Sequence, residues 1–111
     1  MQISYDDFQK VDVRLGRVVE VADFPKARKP AYKLRIDFGK ELGVKSSSAQ
    51  VTKHYKKEEL LGRNVLCVVN FAPKQIGDFI SEVLTLGVPD SNGDVVLLGI
   101  DKEAEPGARM F

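Results

Sequence analysis

Residues 32–38 read YKLRIDF, and this short stretch decides the class of fold. Apolar and charged side chains alternate along it: Tyr32, Leu34, Ile36 and Phe38 occupy one set of positions, and Lys33, Arg35 and Asp37 the other. Strict alternation is typical of a β-strand that has a core on one face and solvent on the other. The stretch therefore predicts a half-buried strand at the centre of a sheet.

Further strands are predicted on both sides of this one. Residues 13–21 alternate with a slip of phase around Gly16, which indicates a β-bulge, and the proline-bounded segment FPKARKP at 24–30 predicts a loop. Downstream, a short helix is predicted over 56–61, ended by Gly62. The remaining predicted strands are 44–51, the apolar run 65–71, 81–88 and 95–100.

The two ends of the chain extend this set. Ser4 is a candidate N-cap with Asp7 three residues later, which predicts a short helix within residues 1–11, and Ile3 and Phe8 have the spacing of a hydrophobic staple. Residues 89–111 form a C-terminal extension. A chain of 111 residues without a linker or repeat is the size of one domain, which we place at 1–111.

The order of the elements predicts an all-β fold. Five strands with a short helix between the third and the fourth are the arrangement of the OB-fold, a partly open five-stranded Greek-key barrel that binds its ligands on one face. The predicted fold is such a barrel with short helices and N- and C-terminal extensions, although the pattern by itself does not separate an OB-fold from other small barrels.

Few residues are suited to catalysis. The single cysteine, Cys67, lies in an apolar run and is expected to be a buried, inert thiol, whereas His54, the only histidine, is expected at the surface. The sequence has no phosphate-binding loop and no dinucleotide fingerprint, and no spacing among its 16 acids identifies a carboxylate pair. We therefore expect no enzyme, no catalytic residue, no metal and no cofactor. The chain has neither a secretory leader nor a membrane-spanning run, so we expect a cytoplasmic protein without membrane insertion.

Charge is distributed unevenly along the chain. Residues 24–57 contain ten Lys or Arg against two acids, a balance of +8, whereas residues 76–111 contain seven acids against two bases, a balance of −5. A basic first half attracts phosphates. Its candidate contacts lie in the loop and on the second and third strands, with Ser46, Ser47, Ser48 and Gln50 as further donors; the cations are Lys26, Arg28, Lys29, Lys33, Arg35, Lys45 and Lys53. A merely solvated sheet face remains the alternative.

Aromatic side chains that could stack on bases are few. Phe24 and Tyr32 are the candidates, and Tyr32 shares the core face of its strand. This scarcity favours recognition of a folded RNA by its shape over stacking along a single strand.

The segment NVLCVVNFAPKQIGDFISEVLTLG at 64–87 resembles the conserved core of the tRNA-binding-domain family, and VDVRLGRVVEV and YKKEELLGRNV resemble its opening strand and its helix. The segments ARKPAYKLRIDFG, SSAQ and SEVLTLG resemble its CsaA-type branch of export-associated chaperones. The resemblance implies an OB-fold and a homodimer. It implies a chaperone for unfolded or precursor polypeptides, linked to the secretion machinery and able to bind tRNA. The alternative is a stand-alone tRNA-binding module that reads the outer corner of tRNA.

The resemblance also implies which residues face the ligand. Those that match the family core are Asn70, Pro73, Lys74, Ile76 and Ser81; Gln75 and Phe79 lie between them, and Lys45 stands where the family often has a base. Three positions depart from the family pattern. Pro30 replaces a lysine, Asp78 replaces a glycine and Leu84 replaces a methionine, and the first two weaken phosphate binding.

Apolar residues predict two further surfaces. Phe8 and Val11 with the C-terminal Met110 and Phe111 leave apolar surface that a two-fold dimer would cover, unless both termini pack on their own barrel. A polypeptide-binding groove is expected around a cluster that could equally close the barrel end: Phe71, Ile76, Phe79 and Ile80.

Overall fold

The computed structural model describes all of residues 1–111. Three short helices are present: α1 Tyr5–Gln9, α2 Gly39–Leu42 and α3 Lys57–Leu60. Nine strands accompany them: β1 Val13–Asp23, β2 Tyr32–Asp37, β3 Val44–Ala49, β4 Asn64–Val68, β5 Lys74–Ile76, β6 Phe79–Ser81, β7 Leu84–Thr85, β8 Gly87–Pro89 and β9 Val95–Leu97.

Strand β2 lies inside the sheet, as its alternation predicts. It pairs with β1 on one side and with β3 on the other, both antiparallel. Leu34 and Ile36 are completely buried, and Arg35 between them is exposed. The core that they enter is formed mainly by Val18, Leu34, Ile36, Phe38, Val51, Leu60, Val65 and Cys67.

The first strand is long because it serves two neighbours. Its first half pairs with β4 and its second half with β2, and the register shifts between Val18 and Glu20. The bulge was therefore predicted at the wrong place. Gly16 has a different role: a Cβ there would come within 2.7 Å of the Phe38 ring, so only glycine lets β1 approach the core this closely.

The five main strands form a nearly closed antiparallel barrel in the order β3-β2-β1-β4-β7. The remaining gap lies between β3 and the segment before β7. There the Glu82 and Val83 amides donate to the Ser46 carbonyl at 2.8 and 3.2 Å. Helix α3 lies between β3 and β4 and is followed by Gly62 at φ +85°. The predicted OB-fold barrel is thus confirmed.

Several predicted strand boundaries were wrong, because the backbone turns where the apolar run continues. The strand expected over 65–71 ends at Val68, and the one expected over 81–88 is divided among β6, β7 and β8. The interruption follows from the amides of Glu82 and Val83, which turn away to bond the neighbouring strand. The β5–β6 hairpin and α2 were not predicted.

Both termini are tied to the start of β1. Helix α1 has the predicted capping box, in which Ser4 Oγ accepts from the Asp7 amide at 3.1 Å and Asp7 accepts from the Ser4 amide at 3.2 Å. At the other end, the Met110 amide donates to the Val13 carbonyl at 2.8 Å. Asp12 joins the two ends through ion pairs with Arg14 and Arg109.

Candidate functional site

The β5–β6 hairpin covers part of the outer face of β2 and β3. Ser46 Oγ donates to the Ile80 carbonyl at 2.6 Å, and Ser81 Oγ accepts from the Ser48 amide at 3.0 Å. The two-residue turn has Gly77 at φ +62°, the conformation that its first position requires in a type II′ hairpin. Hydrogen bonds from β3 therefore hold the hairpin against the barrel.

This docking corrects one sequence prediction. Ser46 and Ser47 were expected to donate to phosphate oxygens or sugar hydroxyls, but both are buried. Ser47 shares a hydrogen bond of 2.9 Å with Thr85, and Ser46 bonds Glu82. Their hydroxyls complete the barrel wall and are not available to a ligand. Gln50 remains exposed.

Glu82 carries a negative charge at the edge of the basic strands. Partial burial opposes its ionisation, but hydrogen bonds from the Ser46 amide and hydroxyl, together with Lys45 and Arg35 nearby, outweigh burial and keep its pKa below the ordinary glutamate value. Glu82 is therefore ionised at neutral pH.

The hairpin also contacts the loop between β1 and β2. The Phe24 and Phe79 rings meet edge to face at 5.3 Å, and Lys33 Nζ stands 5.0 and 5.5 Å from their centroids. At the rim of this contact, Lys26 Nζ lies 3.4 Å from the Asp78 carboxylate. Phe24 is buried, so it is not the base-stacking residue that the sequence suggested.

Tyr32 proves to belong to the core, as its strand face indicated. It packs against the buried cluster, and its hydroxyl donates to the Tyr55 carbonyl at 2.9 Å. No other aromatic side chain replaces the two candidates on the basic strands, so the surface offers little for stacking.

Five of the predicted cations lie in the β1–β2 loop, on β2 and on the β5–β6 hairpin, three segments that meet where Lys33 stands over the Phe24 and Phe79 rings. We call this set the basic rim: Arg28, Lys29, Lys33, Arg35 and Lys74. Arg28 and Lys29 are exposed in the loop, and Arg35 on β2 is 3.8 Å from Glu20. Lys45 lies on the other side of the sheet from Lys33 and Arg35. It pairs in register with the buried Ile36, on the core side of the sheet, whereas Lys33 and Arg35 occupy the outer side.

The remaining predicted site residues differ in whether hydrogen bonds within the chain already occupy their side chains. Gln75 is exposed on β5 and donates to the Gly77 carbonyl at 3.0 Å. Asn70 uses both ends of its amide within the chain, accepting from the Asp12 amide at 3.0 Å and donating to the Lys10 carbonyl at 2.7 Å. This arrangement joins β4 to the N-terminal segment and gives Asn70 a structural function.

An open apolar cavity of about 560 Å³ lies beside the hairpin. Phe71, Ile76, Val83 and Leu84 contribute to its wall, and Lys74 reaches it from the hairpin. Phe71 and Ile80 are 58% and 52% exposed, but only Phe71 borders the cavity. The expected apolar cluster is thus divided, since Phe71 and Ile76 line this cavity, which we call the hairpin groove, and Phe79 packs on Phe24 instead.

A second apolar surface joins the two ends of the chain. It surrounds a cavity of about 280 Å³, and we call it the terminal patch: Tyr5, Phe8, Val11, Met110 and Phe111. All but Phe8 are exposed, and Phe111 is fully so. Arg109 anchors the patch by donating to the Gln9 carbonyl at 2.6 Å.

The two residues that sequence analysis set aside are where it expected them. Burial raises the pKa of the Cys67 thiol to about 11. His54 is exposed and lies 2.6 Å from the Asp90 carboxylate, with Asp94 close by. The ligand atoms of these three residues lie within 4.8 Å of one another, a spacing that could hold a divalent cation. Hydrogen bonds within the 90–94 turn hold Asp90 and Asp94, and the hydrogen bond with Asp90 holds His54. No helix is long and apolar enough to cross a membrane.

Sequence reasoning missed how Lys26, Asp78 and Glu82 pair with their neighbours. The Gly77-Asp78 dipeptide is a signal for a two-residue hairpin turn and would have revealed β5 and β6. Nothing local predicts the pairing of Lys26 with Asp78, because 52 positions separate them.

Comparison with known proteins agrees with this geometry. A family model described as "Putative tRNA binding domain" matches residues 13–109. The CsaA chaperone protein of Picrophilus torridus is 53% identical with a TM-score of 0.93, over 99% of this chain and 100% of that one. The chaperone CsaA of Bacillus anthracis str. Ames is 47% identical with a TM-score of 0.92, over the whole of both chains.

Longer proteins are also related. A methionine–tRNA ligase of Pyrococcus abyssi is 40% identical over 110 residues, which are 99% of this chain and only 15% of the ligase. The chain thus spans a small part of the ligases that it matches. From the match over residues 13–109 and the end-to-end similarity to solved CsaA structures, the chain belongs to the tRNA-binding-domain family.

Proposed function

We propose that this chain is a non-enzymatic, homodimeric binding protein of the CsaA type. It captures unfolded or precursor polypeptides in the cytoplasm, in connection with secretion, and it also binds tRNA. The observation that carries the proposal is the hairpin groove, an open apolar cavity bordered by Phe71 and Ile76 next to the basic rim. Similarity to CsaA chaperones along the whole chain supports it.

The groove has the chemistry that capture of unfolded chains requires. Unfolded polypeptides differ from folded ones in exposing apolar side chains, and an apolar wall buries these without demanding a particular sequence. Lys74 and Glu82 at the groove provide one charge of each sign. Such a surface favours extended apolar segments over any single small molecule.

The dimer is proposed from the terminal patch. Exposed apolar side chains from both ends of the chain lie together there, and a two-fold axis through them would bury the same surface twice. Two grooves on one particle would then engage one unfolded chain at two points, which increases avidity without a new contact.

Binding of tRNA is proposed from the basic rim. Arg28, Lys29 and Lys74 are exposed and make no ion pair within the chain, so a phosphate meets them without first breaking a bond. Because few aromatic side chains are available, we expect recognition by shape and backbone charge. The alternative function, a stand-alone module for the outer corner of tRNA, needs this rim alone and makes no use of the groove.

The test is a titration of the purified protein with bulk tRNA at 50 and 200 mM salt, with a permanently unfolded polypeptide as competitor. We expect tRNA affinity to fall at the higher salt, and Lys74→Glu to weaken it about tenfold, because one attractive phosphate contact becomes repulsive. Lys102→Glu, in the acidic C-terminal part, is the matched control.

The two functions give different results in this assay. If the native protein captures the polypeptide and a groove variant such as Phe71→Ser does not, the result supports the chaperone function. If tRNA binds tightly while no unfolded polypeptide is captured, the tRNA-binding module is the correct function.

A further inference from the structure

Asp78 occupies an unusual place for an acid. It stands at the tip of the β5–β6 hairpin, and its carboxylate lies 3.4 Å from Lys26 Nζ, at the edge of the basic rim. The sequence nearby is basic, since Lys26, Arg28 and Lys29 all belong to the loop that the hairpin contacts. A negative charge therefore lies against a cation of this basic loop that would otherwise meet a phosphate.

The pair contributes little to the fold. The side chains of Lys26 and Asp78 are 73% and 69% exposed, and ion pairs this exposed are screened by water and salt. The hairpin is held by other means, namely the Phe24–Phe79 contact and the hydrogen bonds from Ser46 and Ser48. Stability therefore gives no reason for an acid at this position.

Asp78 has a larger effect on the charge of the neighbouring lysines than on the stability of the fold. The hydrogen bond from Lys26 and the charge of that lysine, with a further contribution from Lys33, lower the pKa of Asp78. The carboxylate is thus ionised throughout the physiological range. It neutralises Lys26 and stands close enough to Lys33 to reduce the attraction of that lysine for a second anion.

We propose that Asp78 is an internal competitor for phosphate, which occupies Lys26 and limits the affinity of the basic rim for RNA. The inference rests on the proposed tRNA binding, and it identifies Asp78 as a residue that lowers the affinity for tRNA. A nucleic-acid phosphate that reaches Lys26 must displace the Asp78 carboxylate and then lie beside it. Removing the Asp78 charge therefore has two effects: it frees Lys26 to bind a phosphate, and it ends the repulsion between the carboxylate and that phosphate.

The experiment is a double-mutant cycle on tRNA affinity, measured between 50 and 200 mM salt. Asp78→Asn keeps the size of the side chain and should tighten tRNA binding about three- to tenfold at low salt, with a salt slope steeper by about one contact. Lys26→Gln should weaken binding less in the wild-type protein than in the Asp78→Asn background, because in the wild type Lys26 is engaged by the carboxylate. The double variant should return to about the wild-type affinity.

The control is Asp101→Asn, which removes one acid that makes no ion pair or hydrogen bond. It measures the effect of net charge alone. If Asp78→Asn tightens binding no more than Asp101→Asn, the proposal is refuted. The same holds if Lys26→Gln weakens tRNA binding equally in the wild-type and Asp78→Asn backgrounds.

Elution from immobilised heparin separates this inference from the proposed function. Heparin is a polyanion without tRNA structure, so it reports the cations of the rim even if tRNA is not a ligand. Asp78→Asn should elute at higher salt than Asp101→Asn. If Asp78→Asn elutes from heparin at higher salt but the protein does not bind tRNA, the proposed tRNA function is refuted and the role of Asp78 as a competitor stands. Equal elution of both variants would refute that role.

Discussion

Replacement of Phe71 by serine tests the hairpin groove directly. Phe71 is 58% exposed, and a fully covered phenylalanine buries about 200 Å², so a bound polypeptide can cover at most about 120 Å² more. At about 25 cal/mol per Å² this area is worth up to about 3 kcal/mol. If a flexible ligand covers half of it, Phe71→Ser should weaken polypeptide capture about tenfold.

The assay is competition for a fluorescently labelled, permanently unfolded polypeptide at low micromolar protein. Leu61→Ser is the matched control, because Leu61 is 56% exposed and borders neither the groove nor the terminal patch. Both variants should keep the urea midpoint of the wild type, since neither side chain belongs to the core. Equal capture by the two variants would show that the groove does not hold the polypeptide.

Three other predictions concern the rest of the molecule. Phe111→Asp should convert the dimer to a monomer in analytical ultracentrifugation, whereas Leu61→Asp should not; a dimer that survives Phe111→Asp would place the interface elsewhere. The hydrogen bond from Arg14 lowers the pKa of Asp12 below 3.8, so its stabilisation is complete above the unfolded-state value and is lost as pH falls through the folded value. Urea midpoints of the wild type and Asp12→Asn should therefore differ at pH 7 and converge only as the pH falls below the lowered folded-state pKa of Asp12, and a constant difference would contradict this origin. With a pKa of about 11, about one Cys67 thiol in a thousand is ionised at pH 8, so Ellman's reagent should label it only after denaturation, and rapid labelling of the native protein would contradict its burial.

The fold was largely predictable because its signals are local. Alternation over residues 32–38 identifies a strand from side-chain spacing alone, and β2 occupies almost the same residues. The capping box at Ser4 and Asp7 is equally local, and it begins α1 as predicted. Strand boundaries after Val68 were predicted wrongly because they depend on distant residues. The chain turns there to form hydrogen bonds with β3, and no neighbouring residue in the sequence indicates this turn.

The candidate site was predictable in composition but not in arrangement. The excess of cations over residues 24–57 is visible without a structure, and the basic rim contains several of them. Which hydroxyls remain free was not visible: Ser46 and Ser47 look like phosphate donors in sequence and are consumed by barrel closure. In the same way, Phe79 packs against Phe24 and does not line the groove, because the hairpin contacts the β1–β2 loop.

The sequence by itself determined the main barrel strands, the first helix and the family, because side-chain alternation, capping residues and motifs depend on a few neighbouring positions. Only the tertiary structure decided which charges remain available. The partners of Lys26 and Ser46 lie 52 and 34 positions away along the chain, and they meet only when the hairpin folds onto the barrel. Ion pairs depend on distance in space, and hydrogen bonds on distance and angle, so their partners are known only once the chain has closed.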